Sequence, residues 1–83
     1  MDKMTLYAYI QMRIAGRRTD SIVQDLIDDM RQDKALAGMT GAEIVSHIRW
    51  HGCMGAREAL NRFLNSYKTY CKCHNLECEK TSC

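Results

Sequence analysis

The chain contains no proline. Nothing in it therefore forces a helix to kink, and it suits helices joined by short turns marked by its five glycines. Long apolar runs are also missing. Charged residues interrupt every hydrophobic stretch well before the roughly 20 residues that span a bilayer, so no transmembrane segment and no membrane partner are expected. The opening Met1-Asp2-Lys3-Met4 offers neither a basic nor an apolar leader region, which predicts a cytoplasmic protein. An excess of one charge is absent too. A net charge of +2 is too small to indicate an electrostatic partner, since DNA-binding domains concentrate far more positive charge and DNA mimics are strongly acidic. No phosphate-cradling loop, dinucleotide-binding glycine set or zinc-protease motif occurs, so no enzyme activity is expected.

What is present fits one small folded domain. With 83 residues, 46% apolar and 27% charged, the chain is long enough for a modest core but short enough to profit from an added staple. Thr5 to Ala15 reads as a first helix, with Leu6, Ile10 and Ile14 on one face, Tyr7 and Met12 beside them, and Gly16 to end it. A second helix starts near Ser21, where Gln24 three residues on suggests a capping box, with Thr19 or Asp20 as other possible caps. Its apolar stripe is Ile22, Val23, Leu26, Ile27 and Met30, and Asp25, Asp28, Asp29 and Asp33 lie largely off it.

Leu36 plugs the core from a short turn over Ala35 to Met39. Thr40 with Glu43 is a further capping box opening a third helix through about Trp50, with Ile44, Val45 and Ile48 inward and Gly52 to close it. The last helix, about Ala56 to Tyr70, places Ala56, Leu60, Phe63, Leu64 and Tyr67 on one face. No strand-like alternation and no internal repeat stand out. The expected fold is all-α: a compact four- or five-helix bundle over residues 1–70 and a Cys-rich C-terminal tail over 71–83.

The tail changes composition abruptly. Cys71, Cys73, His74, Cys78 and Cys83 place five soft ligands in thirteen residues, spaced C-x-C-H-x-x-x-C-x-x-x-x-C. Zinc takes four such ligands in a tetrahedral site, so a structural zinc held by four of these five is the leading expectation. It is not the paired C-x-x-C pattern of ribbons and fingers. A reduced flexible tail and disulfides are the alternatives. His47, His51 and Cys53 form a second group, with the histidines four residues apart, but the last helix, about 22 Å long at ~1.5 Å per residue, separates it from Cys71. Cys53 beside either histidine is also the nearest approach to a hydrolase nucleophile, although no acidic orienter or strand-turn motif accompanies it.

Two resemblances add to this reading. Leu6, Tyr7 and Tyr9 in the first helix, the Asp20-Ser21-Ile22 to Leu26 helix start, Asp33-Lys34-x-Leu36 after the second helix, and Ala59, Phe63 and Tyr67 in the last make residues 5–70 similar to the YozE-like domain, a short bacterial fold related to the sterile alpha motif. The chain departs from that pattern in having Leu36-Ala37-Gly38 where such domains carry a Phe-Pro pair. The resemblance implies a fold and no catalysis. The whole chain, short, without catalytic motifs and ending in an unusual tail, also resembles small phage and mobile-element proteins, including the anti-CRISPR inhibitors of type II effector nucleases. That resemblance implies a protein partner, a CRISPR effector nuclease, in a bacterial host cytoplasm.

The functional expectation is a zinc-stapled, non-enzymatic protein-interaction module that inhibits its partner. Its contact residues are expected among Asp25, Asp28 and Asp29 or among Arg13, Arg17 and Arg18. The alternative is a small zinc-dependent nucleic-acid-binding regulator using those arginines, Arg57 and Arg62, with Arg49 and Trp50 for stacking. A hydrolase built on Cys53 is the outsider.

Overall fold

The computed structural model describes residues 2–18, 21–51 and 56–81. Within them lie four α-helices: α1 (Leu6–Ala15), α2 (Ile22–Gln32), α3 (Gly41–His51) and α4 (Ala56–Cys73). A short 3-10 helix over Lys34–Gly38 joins α2 to α3. The all-α bundle is as the periodicity indicates. Two-residue strands β1 (Lys3–Met4) and β2 (Glu77–Cys78) pair in parallel, with Lys3 opposite Glu77 and Met4 opposite Cys78. No helix among the described residues is long and apolar enough to cross a membrane.

Local chemistry sets the helix starts. The Thr5 hydroxyl accepts from Ala8 N at 3.1 Å and caps α1. Thr40 and Glu43 make the expected capping box: Glu43 N donates to Thr40 Oγ1 at 3.3 Å, and Thr40 N donates to Glu43 Oε1 at 3.0 Å. The contact with Thr40 holds the Glu43 carboxyl below its ordinary value. The box expected at α2 does not form: the Ser21 side chain makes no capping bond, and Gln24 is buried with its amide nitrogen donating to Asp28 Oδ1 at 3.0 Å. Thr19, Asp20 and Gly52, also named as caps, lie outside the described residues.

The core gathers one face of every helix. Leu6, Tyr9 and Ile10 of α1 meet Leu26, Ile27 and Met30 of α2, Leu36 of the 3-10 helix, Ile44, Val45 and Ile48 of α3, and Leu60, Phe63, Leu64 and Tyr67 of α4. α2 lies chiefly against α4 and α1. Tyr9 sits at the aromatic centre, its ring centroid 5.2 Å from that of Phe63 and 5.3 Å from that of Tyr67, within the range of favourable aromatic pairs. Ile22 departs from the expected stripe: at the first turn of α2 it is 39% exposed.

Candidate functional site

The expected boundary at residue 70 falls inside α4, which continues through Cys73. The helix ends in a left-handed cap at Asn75 (φ 55°). Leu76 N donates to Cys71 O at 2.8 Å and Asn75 N to Lys72 O at 3.4 Å, the two bonds of a Schellman motif that satisfy carbonyls left open at a helix end. Asparagine tolerates this backbone conformation better than most residues. The reversal turns the chain back along the bundle, where Glu77 N donates to Asp2 O at 2.8 Å and β2 joins β1.

Tyr67 and Glu79 fix the returning segment. The buried Tyr67 hydroxyl donates to Met4 O at 2.5 Å and accepts from Glu79 N at 2.6 Å, so one side chain of α4 holds the strands at both termini. Burial pushes its phenol up to about 12. The Glu79 carboxylate accepts from Leu6 N, the first residue of α1, at 3.0 Å. It also lies against Gly41, the first residue of α3, where an added Cβ would stand 2.8 Å from Glu79 Oε1. A negative charge at a helix start satisfies open amides and complements the helix dipole.

This arrangement places the expected zinc ligands in different surroundings. Cys71 belongs to the core and is fully buried, whereas Cys73 is exposed. Two positions apart on a helix, they point about 160° away from each other. His74 is exposed and stacks on Tyr70 with ring centroids 4.2 Å apart, and both line a shallow groove with Tyr9, Ser66, Thr69 and Cys73. Cys78 returns to the same core that Cys71 belongs to. Burial first, and then that neighbour, push the Cys71 thiol up to about 11. Zinc needs thiolates converging on one point. Among the described residues no three His, Cys, Asp or Glu side chains converge on a common point. Cys83 lies outside the described residues.

The expected contact charges are partly used within the fold. Arg18 grips Asp28 with two bonds of 3.1 Å, so one member of each group is paired with the other within the fold. This contact, followed by that of Gln24, lowers the Asp28 carboxyl below its ordinary value. Arg13 donates to the Tyr9 hydroxyl at 2.9 Å and lies 5.8 Å from the Phe63 ring centroid. Arg17, Asp25 and Asp29 are exposed.

On α3, His47 Nε2 lies 2.7 Å from Asp33 Oδ2, while Asp33 Oδ1 accepts from Ala35 N at 3.1 Å and caps the 3-10 helix. Asp33 therefore gives His47 the acidic partner that the sequence does not reveal. The His51 side chain and Cys53, the other members of that group, lie outside the described part. One turn beyond His47, Trp50 stands 83% exposed.

Sequence reasoning misses Tyr67 and Glu79 as the joint between the termini. The only local signal is Asn75-Leu76, a left-handed cap residue followed by an apolar one. Comparison with protein-family models, curated proteins and solved structures matches the chain to none of them.

Proposed function

We propose that this chain is a non-enzymatic protein-interaction module that inhibits a partner by occupying it. The observation that carries the reading is Trp50, the chain's single tryptophan, held 83% exposed on the last turn of α3. Burying a large aromatic is worth several times the thermal energy, so one kept in water on a helix is a ready anchor, and tryptophan and arginine dominate binding hot spots. Arg49 is exposed beside it, and the exposed Asp25 and Asp29 of α2 offer polar contacts. In this reading the tail is stapled by strand pairing, Tyr67 and Glu79, so no structural zinc is required.

The resemblance to anti-CRISPR proteins makes a type II CRISPR nuclease the first partner to assay. Cleavage should fall as the chain is added and reach its limit near equimolar ratio, without turnover. Tryptophan emission should shift to the blue on binding, because the only indole leaves water. Trp50→Ala should weaken capture by about tenfold or more, as loss of a hot-spot anchor does, and leave the helical signal intact. No effect on cleavage across several orthologues would remove this nuclease as the partner. Capture of a confirmed partner that is indifferent to Trp50→Ala would remove this surface.

The same Arg49–Trp50 pair favours one other reading, since an exposed indole beside a guanidinium stacks on unpaired bases. Binding of bulk single-stranded DNA that falls steeply with salt would support a nucleic-acid-binding regulator instead.

A further inference from the structure

The Schellman turn and the β1–β2 pairing have a second effect, independent of the partner surface. They bring two cysteines from opposite sides of the turn together. Cys71 is one helical turn beyond Tyr67 on the buried face of α4. Cys78 is the inward residue of β2, packed against the same core. The bond from Glu79 N to the Tyr67 hydroxyl holds the residue after Cys78 against the helix turn that leads to Cys71. Both cysteines are free thiols, and the bond from Leu76 N to Cys71 O at 2.8 Å keeps the start of β2 beside Cys71.

We infer that Cys71 and Cys78 are a reversible oxidation site, closed by a low-molecular-weight disulfide into an intramolecular disulfide that ties β2 to α4. Access assigns the roles. Cys78 is partly exposed and Cys71 is fully buried. The Cys78 thiolate attacks one sulfur of glutathione disulfide, forming a mixed disulfide and releasing one glutathione thiolate. Cys71 then loses its proton and attacks Cys78 Sγ, forming the internal bond and expelling the second glutathione. Two protein thiols lose two electrons and two protons, and one small disulfide becomes two thiols. The second exchange is intramolecular, between cysteines that the turn and the strand pairing hold against one core, so it outruns the reverse attack by free glutathione. Cys73 projects from the other side of α4 and has no such neighbour among the described residues; there the reaction stops at the mixed disulfide.

The test uses the full chain, folded, at neutral pH with glutathione disulfide, followed by alkylation of remaining thiols and tryptic mapping. Cleavage at Lys68, Lys72 and Lys80 separates Cys71 from Cys78, so the internal bond appears as a link between the segments 69–72 and 73–80. Cys73→Ser protein should give this link, and Cys78→Ser protein should not. The thermal midpoint should rise on oxidation and return on reduction in wild type and Cys73→Ser, but not in Cys78→Ser. Mapping of wild type by fragmentation needs no variant to fold. Cys71 recovered unlinked while Cys73 carries glutathione would overturn the inference, as would Cys71 linked to Cys53, Cys73 or Cys83.

Discussion

Tyr67 shows how much one atom can carry in so small a fold. Its ring fills the core, and its hydroxyl serves a carbonyl of the first strand and an amide just after the second. Tyr67→Phe keeps the ring and strands both backbone partners, so it should cost about 1–3 kcal/mol in a denaturant titration. An unchanged midpoint would mean that water replaces the hydroxyl at no cost. Leu26→Ala examines the apolar side of the core. Leu26 is buried on the stripe of α2, and its truncation should cost on the order of 2–5 kcal/mol; a smaller loss would show that the stripe closes over the gap. Both residues are legible in sequence as core positions, because their spacing repeats the helical period. The tyrosine's two hydrogen bonds are not, since their partners lie 63 and 12 residues away. Charge roles are harder still. Asp28 and Arg18 look like opposing candidate surfaces, yet they hold each other. Charge reversal at Asp28 would therefore break an ion pair within the fold, and tests of partner binding belong at Asp25 and Asp29.

At the scale of elements, the four helices were readable because apolar periodicity and capping residues agree along most of the chain, most clearly at Thr40 and Glu43. The tail was not, for a physical reason. Cys71 continues the buried series of Leu60, Leu64 and Tyr67 at helical spacing, but a cysteine fits both a core and a metal site, so the sequence alone does not show that α4 runs on through Cys73. If the tail is as described, protein purified without an affinity tag should hold no stoichiometric zinc through Cys71. One zinc per chain, lost in Cys71→Ser, would require Cys71 to leave the core and would overturn the tail's arrangement. The joint of three elements at Glu79 gives a sharper test. Glu79→Ala removes a carboxylate from the start of α1 and should cost about 0.5–2 kcal/mol. Gly41→Ala alone should also destabilise, because its methyl meets the carboxylate at 2.8 Å. With Glu79 already replaced, the same substitution should become neutral or stabilising, since alanine is the better helix former. That reversal of sign in a double-mutant cycle is the expected outcome; additive costs would show that the two positions do not touch.

For the whole molecule, stability should depend on pH at the alkaline end through the joint between the termini. Burial raises Cys71 from an ordinary 9.0 to about 11 and Tyr67 from 10.0 to about 12. Both groups are neutral when protonated, so the folded chain holds these protons more tightly than the unfolded one. Their contribution is fully present below the unfolded values and is lost as pH rises through the folded ones. The acid side runs the other way: Arg18 and Gln24 lower Asp28 beneath 3.8, so its contribution is present above that value and fades as pH falls, but the group is exposed and solvent weakens the effect. With reductant present to keep the thiols free, the thermal midpoint should stay level from neutral pH to about 9 and then decline as the unfolded chain begins to lose these protons. Cys71→Ala should remove the earlier part of the decline and Tyr67→Phe the later part, each measured against its own midpoint at neutral pH. Tyr67 bonds both Met4 O and Glu79 N, so resistance of the tail to carboxypeptidase should fall over the same range as the midpoint. Identical alkaline profiles in wild type and both variants would place the titrating groups elsewhere, and the joint would then have no part in the loss.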